Sequence, residues 1–145
     1  MPHPLTYDNV GTILTRTTRL MKAMYQRAFK EAGYDITPEQ WVLVDHLAAN
    51  GSASQTDLAN GTFKDAPTVS RIIDKLTKKN YVERARFPND RRRYQIALTE
   101  HGKSSHRVLR PIVQQLRVQA WGGLTEKDHA DLSRILDRIR ENFAG

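Results

Sequence analysis

Basic side chains are concentrated in one part of this sequence. Between Lys64 and Arg93 there are ten Lys or Arg residues against four Asp or Glu, whereas the rest of the chain has thirteen against twelve. The formal net charge of +7 therefore resides almost entirely in this segment. Such a concentrated positive field favours a polyanionic partner, because binding releases counterions and charge steers the encounter. Nucleic acid is the predicted partner. An anionic membrane fits less well, since no basic amphipathic helix with an aromatic face accompanies the charge.

Three consecutive arginines, Arg91 to Arg93, directly follow Pro88-Asn89-Asp90, which has turn chemistry. Apolar residues alternate on both sides, in residues 84–87 and 94–98, as in strands with one buried face. The pattern predicts a two-stranded hairpin whose tip carries the arginines. A narrow minor groove attracts an inserted guanidinium, so we expect one or two of them to enter it, with Asp90 holding a neighbour by a charge-assisted bond. A solvated, self-repelling loop is the alternative.

The helix predicted before this hairpin has an apolar stripe of Val69, Ile72, Ile73 and Leu76 at helical spacing, which should face inward. Its other side chains suit the major groove, where Ser and Thr form hydrogen bonds with base edges and Arg donates two hydrogen bonds to guanine. For the helix alone, ordinary solvated side chains are the alternative. The residues predicted to bind DNA are Lys64, Thr68, Ser70, Arg71, Lys75, Lys78, Arg84, Arg86, Asp90, Arg91, Arg92 and Arg93.

Capping and terminating residues divide the chain into six predicted helices. The first ends at Gly33, and Thr37-Pro38-Glu39-Gln40 opens the second with an N-cap, a first-turn proline and a capping-box glutamine. Pro111 lies inside the fifth helix and should bend it. The remaining predicted boundaries are Gly51, Ser54, Asp65, Thr99, Gly122 and Thr125.

The resulting order is helix, helix, short helix, helix, hairpin, helix, helix. The predicted fold class is therefore mainly α (α+β), a winged helix-turn-helix at residues 36–98 within one domain of residues 1–145. The flanking helices, 8–33 and 99–143, carry more apolar surface than a small winged domain covers, so we expect them to pack against a second copy. Two recognition helices would then lie about 34 Å apart. A monomer with the terminal helices packed on one another is the alternative.

Six short motifs in this order resemble the signatures of the multiple antibiotic resistance regulator (MarR) family. They are Thr37-Pro38-Glu39-Gln40-Trp41, Leu58-Ala59, Thr68-Val69-Ser70-Arg71-Ile72-Ile73-Asp74-Lys75-Leu76, Val82-Glu83-Arg84, Asp90-Arg91-Arg92 and Leu98-Thr99-Glu100-His101-Gly102. The resemblance extends over nearly the whole chain. It implies a homodimer that binds a near-palindromic operator in double-stranded DNA, usually as a repressor, and often releases it when a small aromatic or anionic effector binds between the dimer helices and the winged domain.

By the same resemblance, Asp90 and Arg92 match the family's wing aspartate and minor-groove arginine, while Thr68, Ser70 and Arg71 fall on its recognition helix. Family members that sense peroxide through cysteine are no guide here, because the chain has no cysteine.

Other classes of function have little support in the sequence. The lack of cysteine excludes disulfides and thiolate metal sites, and there is no phosphate loop, nucleophile elbow or paired-carboxylate motif. We expect no catalytic residue, no cofactor and no metal, although a metal site using His101 and His106 is an open alternative. No secretory signal or membrane span is apparent, so the predicted location is the cytoplasm.

These patterns favour a sequence-specific regulator of transcription that binds double-stranded DNA. Two alternatives remain: a non-specific nucleic-acid-binding or architectural protein that uses the same charge, and a small-molecule enzyme or carrier with an interdomain pocket. Competition with random DNA separates the first alternative from the favoured function, and turnover without DNA binding would indicate the second.

Overall fold

The computed structural model of the chain describes residues 4–144, without the side chains of residues 4–8 and 91–93. Six helices and a small antiparallel sheet occupy these residues, which confirms the predicted, mainly helical fold class. In chain order the elements are α1 (Pro4–Glu31), α2 (Pro38–Asn50), β1 (Ala53–Ser54), α3 (Gln55–Thr62), α4 (Ala66–Lys78), β2 (Val82–Phe87), β3 (Asp90–Leu98), α5 (Glu100–Ala120) and α6 (Glu126–Ala144). No helix among the described residues is long and apolar enough to cross a membrane.

The chain divides into two compact units, one up to Val113 and the other from Gln114 onward. In the second unit, α6 starts where the Thr125 hydroxyl accepts a hydrogen bond from the Asp128 N–H at 3.1 Å. The rings of Trp121 and His129 lie 4.7 Å apart there. A single domain of residues 1–145, with a winged region at 36–98 and dimerisation helices at 8–33 and 99–143, stays a prediction.

The core of the first unit is built from the apolar faces of its helices and the base of the sheet. The predicted stripe of α4 is fully inside, with Val69, Ile73 and Leu76 at 0 % exposure and Ile72 at 8 %. Burial of these four side chains fixes the rotation of α4 about its axis. The other fully buried large side chains of this core are Phe29, Ile36, Leu43, Val44, Leu58, Val82, Ile96, Leu109 and Val113.

The predicted helix caps are present. The Thr37 hydroxyl accepts from the Gln40 N–H at 3.1 Å, and the Gln40 side chain accepts from the Thr37 N–H at 3.1 Å, which completes the capping box of α2. Single bonds cap two further helices: the Asp65 side chain accepts from the Thr68 N–H at the start of α4, and the Ser54 side chain accepts from the Asp57 N–H at the start of α3. Because each cap satisfies backbone donors that the helix itself leaves free, these residues set where the helices begin.

The sheet has the strand order β1-β3-β2, so a third strand joins the predicted hairpin. Ala53 pairs with Ile96 and Ser54 with Gln95. A strand of two residues is too short to show a period of two, which is why the sequence pattern did not reveal it. This pairing fastens the base of the hairpin to the chain segment that leads into α3.

Burial of the hairpin differs from the expected single buried face. Val82 and Ile96, at its base, are buried, whereas Ala85 is exposed and Tyr94 is 43 % exposed. The alternating pattern therefore gives the strands correctly but overstates their burial, because the core covers only the base. The outer half of the hairpin is accessible to a partner, as a wing requires.

Candidate nucleic-acid interface

The recognition helix α4 begins at a tightly bonded first turn. The Asp65 carboxylate accepts from the Thr68 N–H at 2.8 Å, and the Thr68 hydroxyl accepts from Nη2 of Arg71 at 3.3 Å. Hydrogen bonds from Thr68, chiefly from its backbone N–H, hold the pKa of the Asp65 carboxyl below its usual value. The hydrogen bond to Thr68 holds the Arg71 side chain beside the first turn of α4. In this motif, that part of the helix contacts the bases.

The predicted contact residues of α4 are accessible. Arg71, Lys75 and Lys78 are exposed, while Thr68 and Ser70 are half-buried at the border of the apolar stripe. Lys64, in the turn before the cap, is also half-buried. The structure therefore brings these predicted residues together on and beside one helix whose opposite side is in the core.

Arg84 on β2 donates from Nη2 to Oδ1 of Asp74 on α4 at 2.6 Å. Its predicted role was a direct DNA contact, and the structure gives it a protein partner as well. Both side chains remain partly accessible, at 36 % for Arg84 and 54 % for Asp74. The pair therefore joins the recognition helix to the wing at the exposed surface. Sequence reasoning had assigned no role to Asp74, because its partner is on another element.

The next predicted contact along β2, Arg86, lies opposite Tyr94 of β3. Its guanidinium carbon is 5.4 Å from the centroid of the Tyr94 ring, a cation–π distance. The exposed aromatic ring thus supports a basic side chain halfway along the wing.

The three arginines belong to strand β3 rather than to the turn, which consists of Pro88 and Asn89 alone. The pairing register changes there: Arg86 is opposite Tyr94, and the next residue, Phe87, is opposite Asp90. Between these two pairs, β2 advances by one residue and β3 by four. The three additional residues of β3, Arg91 to Arg93, therefore have no residue opposite them in the register of β2 and β3. The predicted minor-groove contacts of these arginines, and their bond to Asp90, concern side chains that lie outside the described ones.

The junction between the wing and α5 depends on a close backbone approach that sequence reasoning missed. The Thr99 hydroxyl accepts from the Gly102 N–H at 3.0 Å and donates to the Asn80 carbonyl at 2.5 Å. An added Cβ on Gly102 would lie 2.1 Å from the Tyr81 carbonyl oxygen. Only glycine fits at this position, since the atom it would meet belongs to the backbone.

The two histidines considered for a metal site have separate contacts. The His101 ring is 4.6 Å from the Tyr81 ring, whereas His106 is bonded to Asp45 at 2.9 Å and stacks on Trp41. Among the side chains that the structure describes, no group of three or more His, Asp or Glu is placed to hold a metal ion.

An open cleft of about 530 Å³ lies in the first unit, among the end of α2, the base of the sheet and the beginning of α5. Lys103 and Arg107, one helical turn apart on α5, give it positive charge, and Glu83 gives it one negative group. Its other lining residues are Leu47, Ala48, Gly51, Ser52, Ala97, Leu98 and His106.

Helix α3, the turn and helix α4, followed by the basic hairpin, define a winged helix-turn-helix DNA-binding protein. A model of the MarR family matches residues 34–93, which include the helix-turn-helix, strand β2 and the first part of β3. This match, a curated repressor relative and solved structures of MarR proteins together support a MarR family winged-helix transcriptional regulator. The resemblance noted in the sequence is thus confirmed.

Individual relatives agree with this assignment. The transcriptional repressor NicR of Pseudomonas putida is 25% identical over 138 residues, covering 95% of this chain and 85% of NicR. The MarR family regulator AbsC of Streptomyces coelicolor has the same fold, with a TM-score of 0.81, 22% identity and coverage of 100% of this chain and 98% of AbsC. Bordetella bronchiseptica BpsR, whose DNA binding is regulated by 6-hydroxynicotinic acid, superposes with a TM-score of 0.74 at 24% identity over 91% of this chain and 98% of BpsR.

Proposed function

We propose that this regulator is a homodimeric repressor that binds a near-palindromic operator and leaves it when a small aromatic or anionic effector binds. It acts in the cytoplasm and not as an enzyme. The predicted DNA-binding residues on α4 and the hairpin are the contacts of this proposal.

One observation carries the proposal: α4 buries four apolar side chains on one side and leaves Arg71, Lys75 and Lys78 exposed on the rest. A helix held in this way presents fixed cationic groups to the major groove, while the neighbouring wing adds Arg86 and the arginines of β3. Base-edge contacts of this kind discriminate by roughly 1–3 kcal/mol each. Specific binding therefore has a structural basis beyond general attraction to phosphate.

The exposed apolar side of α1 supports the homodimer. Ile13 is 57 % exposed, Leu20 64 % and Met21 43 %, on a helix of 28 residues. Apolar patches of this extent are typical of surfaces that a protein partner covers. A second copy is the economical partner, since a two-fold dimer presents two recognition helices to the two halves of a palindrome.

The effector part of the proposal is supported by relatives and by the cleft near α5. NicR is a repressor, and 6-hydroxynicotinic acid regulates DNA binding by BpsR. In this chain, Lys103 and Arg107 would offer a carboxylate two cationic groups one turn apart. We expect aromatic carboxylates to lower the affinity of this protein for its operator.

A selection of bound duplexes from random DNA tests the function. We expect a near-palindromic consensus whose binding survives a thousandfold excess of random duplex. Aromatic carboxylates, including 6-hydroxynicotinic acid, are then titrated into the complex. Binding that random duplex removes in proportion to its concentration would instead indicate the non-specific, architectural function.

A further inference from the structure

Phe63 ends α3 in an unusual combination of backbone conformation and exposure. Its φ is 57° and its ψ is 38°, in the left-handed region, and its side chain is 97 % exposed. The backbone N–H groups of Phe63 and Lys64 both donate to the Ala59 carbonyl, so the helix end requires this geometry. Among the described residues, only Asn80 is another non-glycine residue with positive φ.

Neither the backbone nor the core accounts for phenylalanine at this position. A left-handed residue at a helix end is usually glycine, sometimes asparagine, because a β-carbon is strained there. The exposed ring gains nothing from burial within this chain. Phe63 therefore combines a strained backbone with an apolar side chain exposed to solvent. We take this combination as an indication that the ring contacts another molecule.

The location of Phe63 identifies that contact. It lies two residues before Asp65, the cap of recognition helix α4, with basic Lys64 between them. In a helix-turn-helix, the beginning of the recognition helix enters the major groove, so the turn that precedes it lies beside the duplex. Arg71 is held next to the same first turn. Phe63 thus belongs to the surface that faces nucleic acid in the proposed function.

We propose that Phe63 makes an apolar contact with a thymine methyl group in the operator, and so adds base specificity to the hydrogen bonds of α4. The C5-methyl is the one apolar feature that a base pair displays in the major groove, and aromatic side chains are among its partners. This inference rests on the proposed function, because it requires a duplex bound to α4.

The contact predicts opposite effects on stability and affinity. Phe63→Gly relieves the strained backbone, so we expect the Tm to rise by a few degrees. The same change should weaken binding to duplexes selected by the wild-type protein about tenfold, because it removes the ring surface that the bound duplex would cover. Phe63→Leu, which keeps an apolar side chain, should retain most of the affinity. Asn80→Gly is the matched control, since it replaces the other left-handed residue outside the turn and should leave affinity unchanged.

Modified DNA locates the contact. Replacing thymines one at a time by deoxyuridine in the selected duplex removes single methyl groups. At one position in each half-site, we expect the wild-type protein to lose roughly fourfold in affinity and Phe63→Gly to lose none. Equal losses in both proteins at every position, or full affinity of Phe63→Gly, would overturn the inference.

Two further outcomes are separable. If the wild-type protein binds no selected duplex, the proposed function itself fails. If Phe63→Gly changes the oligomeric state while its affinity for the selected duplex stays at the wild-type value, the ring contacts a second copy and the DNA contact is wrong. Size-exclusion chromatography with light scattering accompanies each titration for this purpose.

Discussion

Asp74 on recognition helix α4 and Arg84 on strand β2 form an ion pair, with 2.6 Å between Oδ1 and Nη2, that joins the helix to the wing. An exposed pair of this kind adds little to stability, typically less than about 1 kcal/mol. The ion pair connects the two predicted DNA-binding elements, α4 and the wing. It can therefore hold α4 and the wing in one relative orientation before DNA binds. Pre-organisation of this kind lowers the cost of binding.

Asp74→Asn separates this orienting effect from long-range charge. Removal of a negative charge should by itself strengthen binding to DNA. If the pair orients the wing, we instead expect affinity for selected duplexes to fall roughly two- to fivefold, with little change in Tm. Fluorescence anisotropy titrations at one salt concentration measure this. The matched control is Asp131→Asn on α6, and tighter binding by Asp74→Asn would exclude the orienting role.

Arg71→Ala and Arg92→Ala test the two proposed modes of reading DNA. Loss of Arg71 should cost roughly 1–3 kcal/mol of affinity and relax the base preference at one position of each half-site. Loss of Arg92 should weaken binding most on sites with a narrow minor groove. Lys127→Ala on α6 is the control for loss of one positive charge. Unchanged affinity in both arginine variants would remove their assigned roles.

Leu20→Glu on α1 tests the proposed dimer. A carboxylate at a position that a second copy buries is costly, so we expect the protein to become monomeric and to lose most of its affinity for a palindromic duplex. Light scattering gives the molar mass. Thr15→Glu places the same charge about 140° away around the helix, and it should remain dimeric. A Leu20→Glu variant with the mass of the wild-type protein would contradict this interface.

Gly102→Ala should destabilise the junction between the wing and α5. Its Cβ would lie 2.1 Å from the Tyr81 carbonyl oxygen, and a backbone atom cannot turn away as a side chain can. We expect a loss of about 2–3 kcal/mol in the free energy of unfolding, within the range of overpacked cores. In contrast, Gly11→Ala in α1, where no atom lies within 4 Å, should stabilise by about 0.5–1 kcal/mol. Denaturant unfolding compares the two.

Asp65 should make the stability of the first unit depend on pH in the acid range. The pKa of its carboxyl is lowered in the folded protein by the hydrogen bonds from Thr68, so folding favours the charged form. The resulting stabilisation is complete above the unfolded-state pKa and is lost as pH falls through the lower folded-state value. Asp65→Asn should therefore show a shallower fall in Tm between pH 5 and pH 2 than the wild-type protein. Parallel pH profiles would show that this carboxyl contributes nothing to acid unfolding.

Much of the candidate interface follows from local sequence. Asp65 caps α4 because its side chain reaches an N–H three residues away, and the stripe of α4 follows from a period of 3.6 residues. Pro88 and Asn89 supply the turn of the hairpin. Such features depend on neighbours in the chain, so the sequence predicts them without knowledge of the fold.

Relationships between distant residues emerge only from the tertiary structure. Asp74 meets Arg84, Gly102 meets the Tyr81 carbonyl, and His106 meets Asp45 because folding brings separate elements together. The exposure of Phe63 belongs to the same group, since the sequence alone gives an aromatic residue near a helix end and not whether the core covers it. The sequence by itself thus determined the helices, the wing and the family, whose signals are local or periodic. Which charged groups are paired, and which apolar side chain remains in solvent, depends on long-range packing and was decided only by the fold.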